Sequence, residues 1–370
     1  MKFRVKVILL LLLSLLIIII YGLRPRKTHK IEEYSHTTIG KSPPIVTEIL
    51  GGLGNQLFQY AAAYSIAKKR NSDIYICVNG FDVNLKAFIS SYYSSEQRKY
   101  LLDHFNVPQD KLLFLYPSAN FKWNRFDEIQ CGIDYYLNGR KVENYIVTEV
   151  NVLAGDLPDD KVLLIKDVFE SDVFFAPDKL DILNIFQPTF DTHPIDDLIK
   201  MVSSTENSVS VHIRRGDMAR KDDFRLISLS YQREAMQLVK RSLQTRNVTF
   251  FVFSDDLDYV KNHLDEGSDT PNRIIYMSDF TENNTLYDFL LMSLCQHNII
   301  PNSSFSWWAA YLNKNPDKIV VAPLPKYRSE WINEFYPSDH SKLLLGELAY
   351  PKGWLTIKPM FLNYSEQRGQ

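Results

Sequence analysis

Hydrophobic and polar positions fall into three regimes along the chain. Val7–Leu23 is a nearly unbroken run of Leu and Ile, interrupted only by Ser14 and Gly22. At about 1.5 Å per residue it spans roughly 25 Å, the short end of a bilayer crossing. The following RPRKTHK offers no small-residue cleavage site, so a retained signal-anchor is expected, its thin span suiting an early secretory membrane. Polar residues 24–44 end in Ser-Pro-Pro and read as a stem. In the second regime, a strand-like IVTEIL (45–50) runs into the glycine turn GGLG. Leu57, Tyr60, Ala61 and Tyr64 then recur at helical spacing within Gln56–Arg70, and DIYICV (73–78) reads as a second strand. Between residues 80 and 205 the pattern thins to a buried strand in KVLLIKDVF (161–169) and a helix in DDLIKMVSS (196–204).

The third regime begins at Ser208. SVSVHI, VTFFVFS, RIIYMS, HNIIP and KIVVAP read as strands, separated by helical stretches at 231–244, 285–296 and from Trp307 onward. Strands alternating with helices predict parallel sheets covered on both faces. The expected fold is α/β, with two Rossmann-like domains, 45–205 and 206–345, facing a cleft. A tail (1–6), the span (7–23) and the stem (24–44) precede them, and a C-terminal tail (346–370) follows. Ligands of such sheets bind beyond the carboxyl ends of the strands, so the polar clusters there should converge on one crevice.

Charge narrows the choice of partner. The first 30 residues hold seven Lys or Arg and no acid, which leaves the body net acidic. That excludes a nucleic-acid surface and confines any polyanion site to a local Arg cluster. Basic residues flank both ends of the span, so charge alone does not orient it. Sequons at Asn247, Asn283 and Asn363 fit a lumenal body. A fourth, at Asn302, lies in the expected crevice and is not taken as a glycan site. Cys77, Cys131 and Cys295 are too few for a disulfide framework or a zinc site; one bridge plus a free thiol and three buried thiols both stay open.

Candidate chemistry sits at strand ends. In HIRRGD (212–217), His212 and Arg214 are two apart and share one strand face, while Arg215 points the other way, toward a structural carboxylate. Guanidinium forks match phosphate oxygens. In NSSFSWW (302–308), Ser303, Ser304 and first-turn amides suit an anion, or Ser303 is simply a helix cap; Trp307 and Trp308 read as core. Asp256-Leu257-Asp258 has the form of an Asp-x-Asp metal site, but helix-start carboxylates are the favoured reading. Asp288 is one acid in an apolar helix, where it is either a surface group or an acceptor for two donors, such as a guanine edge. The GGLG turn carries Leu57 where a dinucleotide fingerprint needs its third glycine, and the next strand lacks the ribose-binding acid.

GGLGNQLFQYA, HIRRGD and LLMSLCQHNIIPNSSFSWWAAYL together resemble the α-1,2-fucosyltransferases of glycosyltransferase family 11 over residues 45 to 325. Met218 and the tryptophan-free VVAPLPKYRSE depart from that pattern, and residues 80–205 match nothing firmly. The resemblance implies a GT-B-like fold and a single-pass type II Golgi enzyme. Its reaction would be inverting, metal-independent transfer of L-fucose from GDP-β-L-fucose to the 2-hydroxyl of a β-galactoside, with no cofactor. It implies Arg214 on the β-phosphate, and His212 and Asp288 on the nucleoside. Ser304 and Phe305 would line the diphosphate and base pocket, and Asn55 would reach toward the fucose or the β-phosphate. Asp217 is the candidate base; its other reading is a loop bond or a pair with Arg215. The rival functions are a fucosyltransferase of another linkage (protein O- or core type), a metal-dependent transferase using Asp256 and Asp258, and a non-catalytic lectin-like protein on the same fold.

Overall fold

The computed structural model describes residues 42–77, 99–109, 112–113, 144–165, 167–220, 226–264, 273–327 and 339–362. The expected signal-anchor, the stem up to residue 41, Cys131 and Asn363 lie outside them. No described helix is long and apolar enough to cross a membrane. The described residues, from Ser42 onward, belong to one compact unit.

That unit contains two sheets. The first comprises β1 (Ile45–Glu48), β2 (Ile74–Cys77), β3 (Leu112–Leu113), β4 (Asn144–Val147) and β5 (Val162–Ile165), in the order β3-β2-β1-β5-β4. The second comprises β6 (Ser208–Ile213), β7 (Thr249–Ser254), β8 (Arg273–Tyr276), β9 (His297–Ile299), β10 (Val320–Pro323) and β11 (Leu355–Ile357), in the order β11-β10-β9-β6-β7-β8. Every strand pair is parallel. The strands predicted from continuous apolar runs are present, and β6 and β7 are buried along their whole length. Residues 355–357, left in a terminal tail by the sequence pattern, add β11 beside β10.

The helices that position the site are α1 (Leu53–Arg70), α2 (Glu149–Ala154), α3 (Asp196–Ser204), α4 (Gly216–Arg220), α5 (Leu229–Ser242), α6 (Leu257–His263), α7 (Thr285–Leu294) and α8 (Ser304–Leu312). Helix α1 starts three residues before the predicted Gln56, so Gly54 belongs to its first turn. Asn71 ends it in the left-handed region, its N–H returning to Ala67 and Lys68. Helix α1 is buried around most of its circumference because it lies between its own sheet and α8. Phe58 of α1 meets Trp307 and Trp308 of α8 at ring-centroid distances of 4.5 and 5.0 Å, and Phe175 stacks on Trp308 at 5.2 Å. Both tryptophans are fully buried, as their core reading expects. One hydrophobic core therefore runs from the first sheet into the second.

Candidate active site

The carboxyl ends of strands from both sheets open on a cleft of about 500 Å³. From the first sheet it receives the turn Gly51–Asn55 after β1 and Glu170 after β5. From the second it receives His212, Arg214, Gly216 and Met218 after β6, Ser254 and Asp255 at the end of β7, and Asn302–Phe305 after β9. Thr285 and Asp288 of α7 and Tyr327 beyond β10 complete much of the wall. Asn55, His212, Arg214, Asp288, Ser303, Ser304 and Phe305 thus share one cavity. Asp217 lies on α4, and its side chain is outside the described residues.

The glycines at the mouth of α1 do different work. Gly51 adopts a left-handed φ of 78° at the turn. A Cβ on Gly54 would stand 2.3 Å from the Ser304 carbonyl carbon and 2.4 Å from the Phe305 nitrogen. The close backbone approach that glycine permits is therefore made to the backbone of the first turn of α8. At the same junction Ser304 Oγ donates to Asn55 Oδ1 at 2.5 Å.

The two arginines separate as strand alternation requires. Arg214 faces the cleft. Arg215, only 5% exposed, turns inward: its Nε donates to Asp256 Oδ2 at 3.0 Å, and its guanidinium lies 3.2 Å from the centroid of the Tyr259 ring. Asp256 is thereby the structural partner of Arg215, and Asp258 sits in the first turn of α6. Among the described residues no group of three His, Cys, Asp or Glu could hold a metal. The neighbouring Asp255 accepts the backbone N–H groups of Arg215 (2.7 Å) and Gly216 (3.0 Å) through Oδ1, pinning the loop that presents Arg214.

His212 Nδ1 lies 2.9 Å from Ser306 Oγ, and its ring packs on Phe305. Burial, and secondarily the charge of Arg214, push its pKa down to about 3. It is a neutral imidazole at ordinary pH, fit to hydrogen-bond but not to carry charge. Asp288 takes hydroxyl bonds on both oxygens, from Ser278 at 2.7 Å and Thr281 at 2.5 Å. Burial raises its pKa, and those two hydroxyls oppose the rise. Its remaining lone pairs can accept from a ligand with adjacent N–H donors. Ser303 occupies the N-cap position of α8 without a side-chain capping bond, so its hydroxyl is not committed to the plain capping role. Asn302 is buried, Asn247 is exposed, and Asn283 is exposed on the cleft rim. Cys77 and Cys295 are buried, and Cys295 is a free thiol.

Sequence reasoning missed Glu170 and its partner Lys326. They are 156 positions apart, and no local motif joins them.

Residues 193–343 match the model of Glycosyl transferase family 11. Over 312 residues the chain is 29% identical to an α-1,2-colitosyltransferase of Escherichia coli, covering 79% of this chain and 96% of the relative. The chain is thus similar to family 11 glycosyltransferases of the α-1,2 type. It is also 29% identical over 153 residues to galactoside α-(1,2)-fucosyltransferase 1 of Leontocebus fuscicollis, covering 40% of the chain and 38% of the relative. Among solved structures it is similar to the NodZ α-1,6-fucosyltransferase soaked with GDP-fucose, at 16% identity and a TM-score of 0.42, covering 74% of this chain and 93% of that one.

Proposed function

We propose that the protein transfers L-fucose from GDP-β-L-fucose to the 2-hydroxyl of a β-galactoside, with inversion and without a metal. The observation that carries this reading is the convergence of Arg214, His212, Asp288 and the start of α8 on the same cleft as Asn55. Departure of the diphosphate concentrates negative charge on its oxygens while the anomeric carbon becomes cationic. Arg214 stabilises that leaving group, an effect worth several kcal/mol in a water-poor cleft. His212, neutral, and Asp288 bond the nucleoside. Ser303, Ser304 and Phe305 line its diphosphate end, and Asn55 meets the sugar from the first sheet. The names of the relatives support the α-1,2 linkage, and that of the primate relative supports a galactoside acceptor.

A second reading, transfer of colitose in the same linkage, rests on the name of the Escherichia coli relative. That relative gives no support to a Golgi setting, which rests on the anchor reading of residues 7–23 and on the sequons.

The test is transfer by the purified protein from GDP-fucose and, in parallel, GDP-colitose to a panel of β-galactosides, with and without EDTA. The expected result is fucose transfer to the 2-hydroxyl that survives EDTA. Colitose transfer alone would move the assignment to the second reading. Activity abolished by EDTA, or no transfer to any galactoside, would overturn the metal-free or the galactoside part respectively.

A further inference from the structure

We propose that Glu170 is the general base that removes the proton from the acceptor hydroxyl, and that Lys326 fixes its carboxylate in the cleft. This rests on the fucosyl-transfer reading above.

Three acids among the described residues line the cleft: Asp255, Asp288 and Glu170. Asp255 accepts the N–H groups of its own loop, and Asp288 is held by two hydroxyls on the second-sheet side. Glu170 is the acid that arrives from the first sheet. Arg214 stands on the second. A displacement with inversion needs the nucleophile and the leaving group on opposite faces of the sugar. A base on the first sheet and a cation on the second supply those two faces.

The surroundings of Glu170 are built to hold it there. Glu170 Oε2 is bound by the Lys326 ammonium, which is 1% exposed. The preceding Phe169 is fully buried at a φ of 59°, a conformation that a bulky residue adopts only when its surroundings impose it. Ser171 N donates to Phe169 O at 2.7 Å, and Ser171 Oγ donates to Leu348 O at 2.5 Å, closing the turn. Glu149, at the start of α2, accepts the backbone N–H groups of Phe169 and Glu170. The charged and titratable groups facing Glu170 are therefore Lys326, Glu149 and Tyr350, with Asp167 next to Glu149. Such locked, strained turns are characteristic of residues held for chemistry.

The step balances without another reactant. The acceptor oxygen forms its bond to the anomeric carbon as its proton passes to Glu170. The bond from that carbon to the diphosphate oxygen breaks, and its electron pair stays on the β-phosphate beside Arg214.

The experiment compares wild type with Glu170→Gln and with the double variant Glu170→Gln/Lys326→Met, which leaves no unpaired ammonium. GDP-fucose binding is measured by calorimetry, folding by thermal melting, and kcat and KM on a β-galactoside. Binding within about threefold of wild type and a kcat lower by about 10²–10⁴-fold are expected. A galactoside whose reacting hydroxyl is acidified by a neighbouring fluorine loses less. Lys326→Met alone lowers kcat without weakening donor binding, and Lys326→Arg restores part of it. Should Glu170→Gln not fold, the double variant decides. A folded variant with kcat within about threefold of wild type, or a loss confined to KM, overturns the proposal while the donor assignment stands. A wild-type protein that transfers no fucose takes both down together.

Discussion

Asn55 and Ser304 stand 249 residues apart and share a 2.5 Å hydrogen bond, each in the first turn of a helix belonging to a different sheet. Both residues line the cleft. Ser304→Ala should cost about 0.5–1.5 kcal/mol of stability, the usual net worth of such a bond. A double-mutant cycle with Asn55→Ala, read by urea denaturation, should give a coupling energy of that size. Strict additivity of the two substitutions would show that the bond contributes nothing in solution.

Gly54→Ala should be the more damaging change at this junction. Its Cβ would sit 2.3 Å from the Ser304 carbonyl carbon, and both partners are backbone, with no flexible side chain to give way. Overpacking of this kind costs about 1–3 kcal/mol. The helices must separate, so fucose transfer should fall together with the denaturation midpoint.

The adjacent arginines should fail differently. Arg214→Ala should lower transfer well beyond any loss of folded protein, by about 10²–10³-fold, the scale for losing one preorganised stabiliser of developing charge. Arg215→Ala strips Asp256 of its partner and Tyr259 of its cation. It should lower the melting temperature first, with activity following the folded fraction. Calorimetry and steady-state rates on both variants separate the two outcomes.

Two buried groups should tilt stability in opposite directions with pH. His212 has its folded pKa depressed from 6.5 to about 3 by burial and then by Arg214. Its contribution is complete above pH 6.5 and is lost as pH falls toward 3. Glu149 has its folded pKa raised from 4.5 to about 7, by burial and then by Asp167 and Glu170. Its contribution is complete below pH 4.5 and is lost as pH rises through 7. Each slope is about 1.4 kcal/mol per pH unit where only one state is protonated. Between pH 4.5 and 6.5, His212→Asn should gain on wild type as pH falls, and Glu149→Gln should gain as pH rises. Denaturation across that window checks both; parallel curves would remove the assignment.

Most of the second sheet was readable because β6, β7, β9 and β10 are buried along their length and appear as unbroken apolar runs ending in polar clusters. The alternation rule placed Arg214 and Arg215 on opposite sides before any contact was known. The start of α1 was misjudged by three residues because glycine is a poor helix former, and the reason for Gly54 lies 250 positions away, in the backbone of α8. Between residues 80 and 205, β3 and β4 were not legible because these described strands are short, β3 being two residues long. Glu170 carried no local signal, since it is defined by a positive φ at Phe169 and by an ammonium beyond β10. Acceptor-side chemistry is written in tertiary contacts of this kind, whereas donor-side chemistry is written in contiguous motifs.

Phe58, Phe175, Trp307 and Trp308 join the halves through one aromatic core rather than through a polar seam. The two Rossmann-like halves should consequently melt as a single cooperative transition in scanning calorimetry, with neither half persisting alone. Opening and closing of the cleft should then be confined to its rim loops, and a bound ligand should meet walls whose spacing was set when the chain folded.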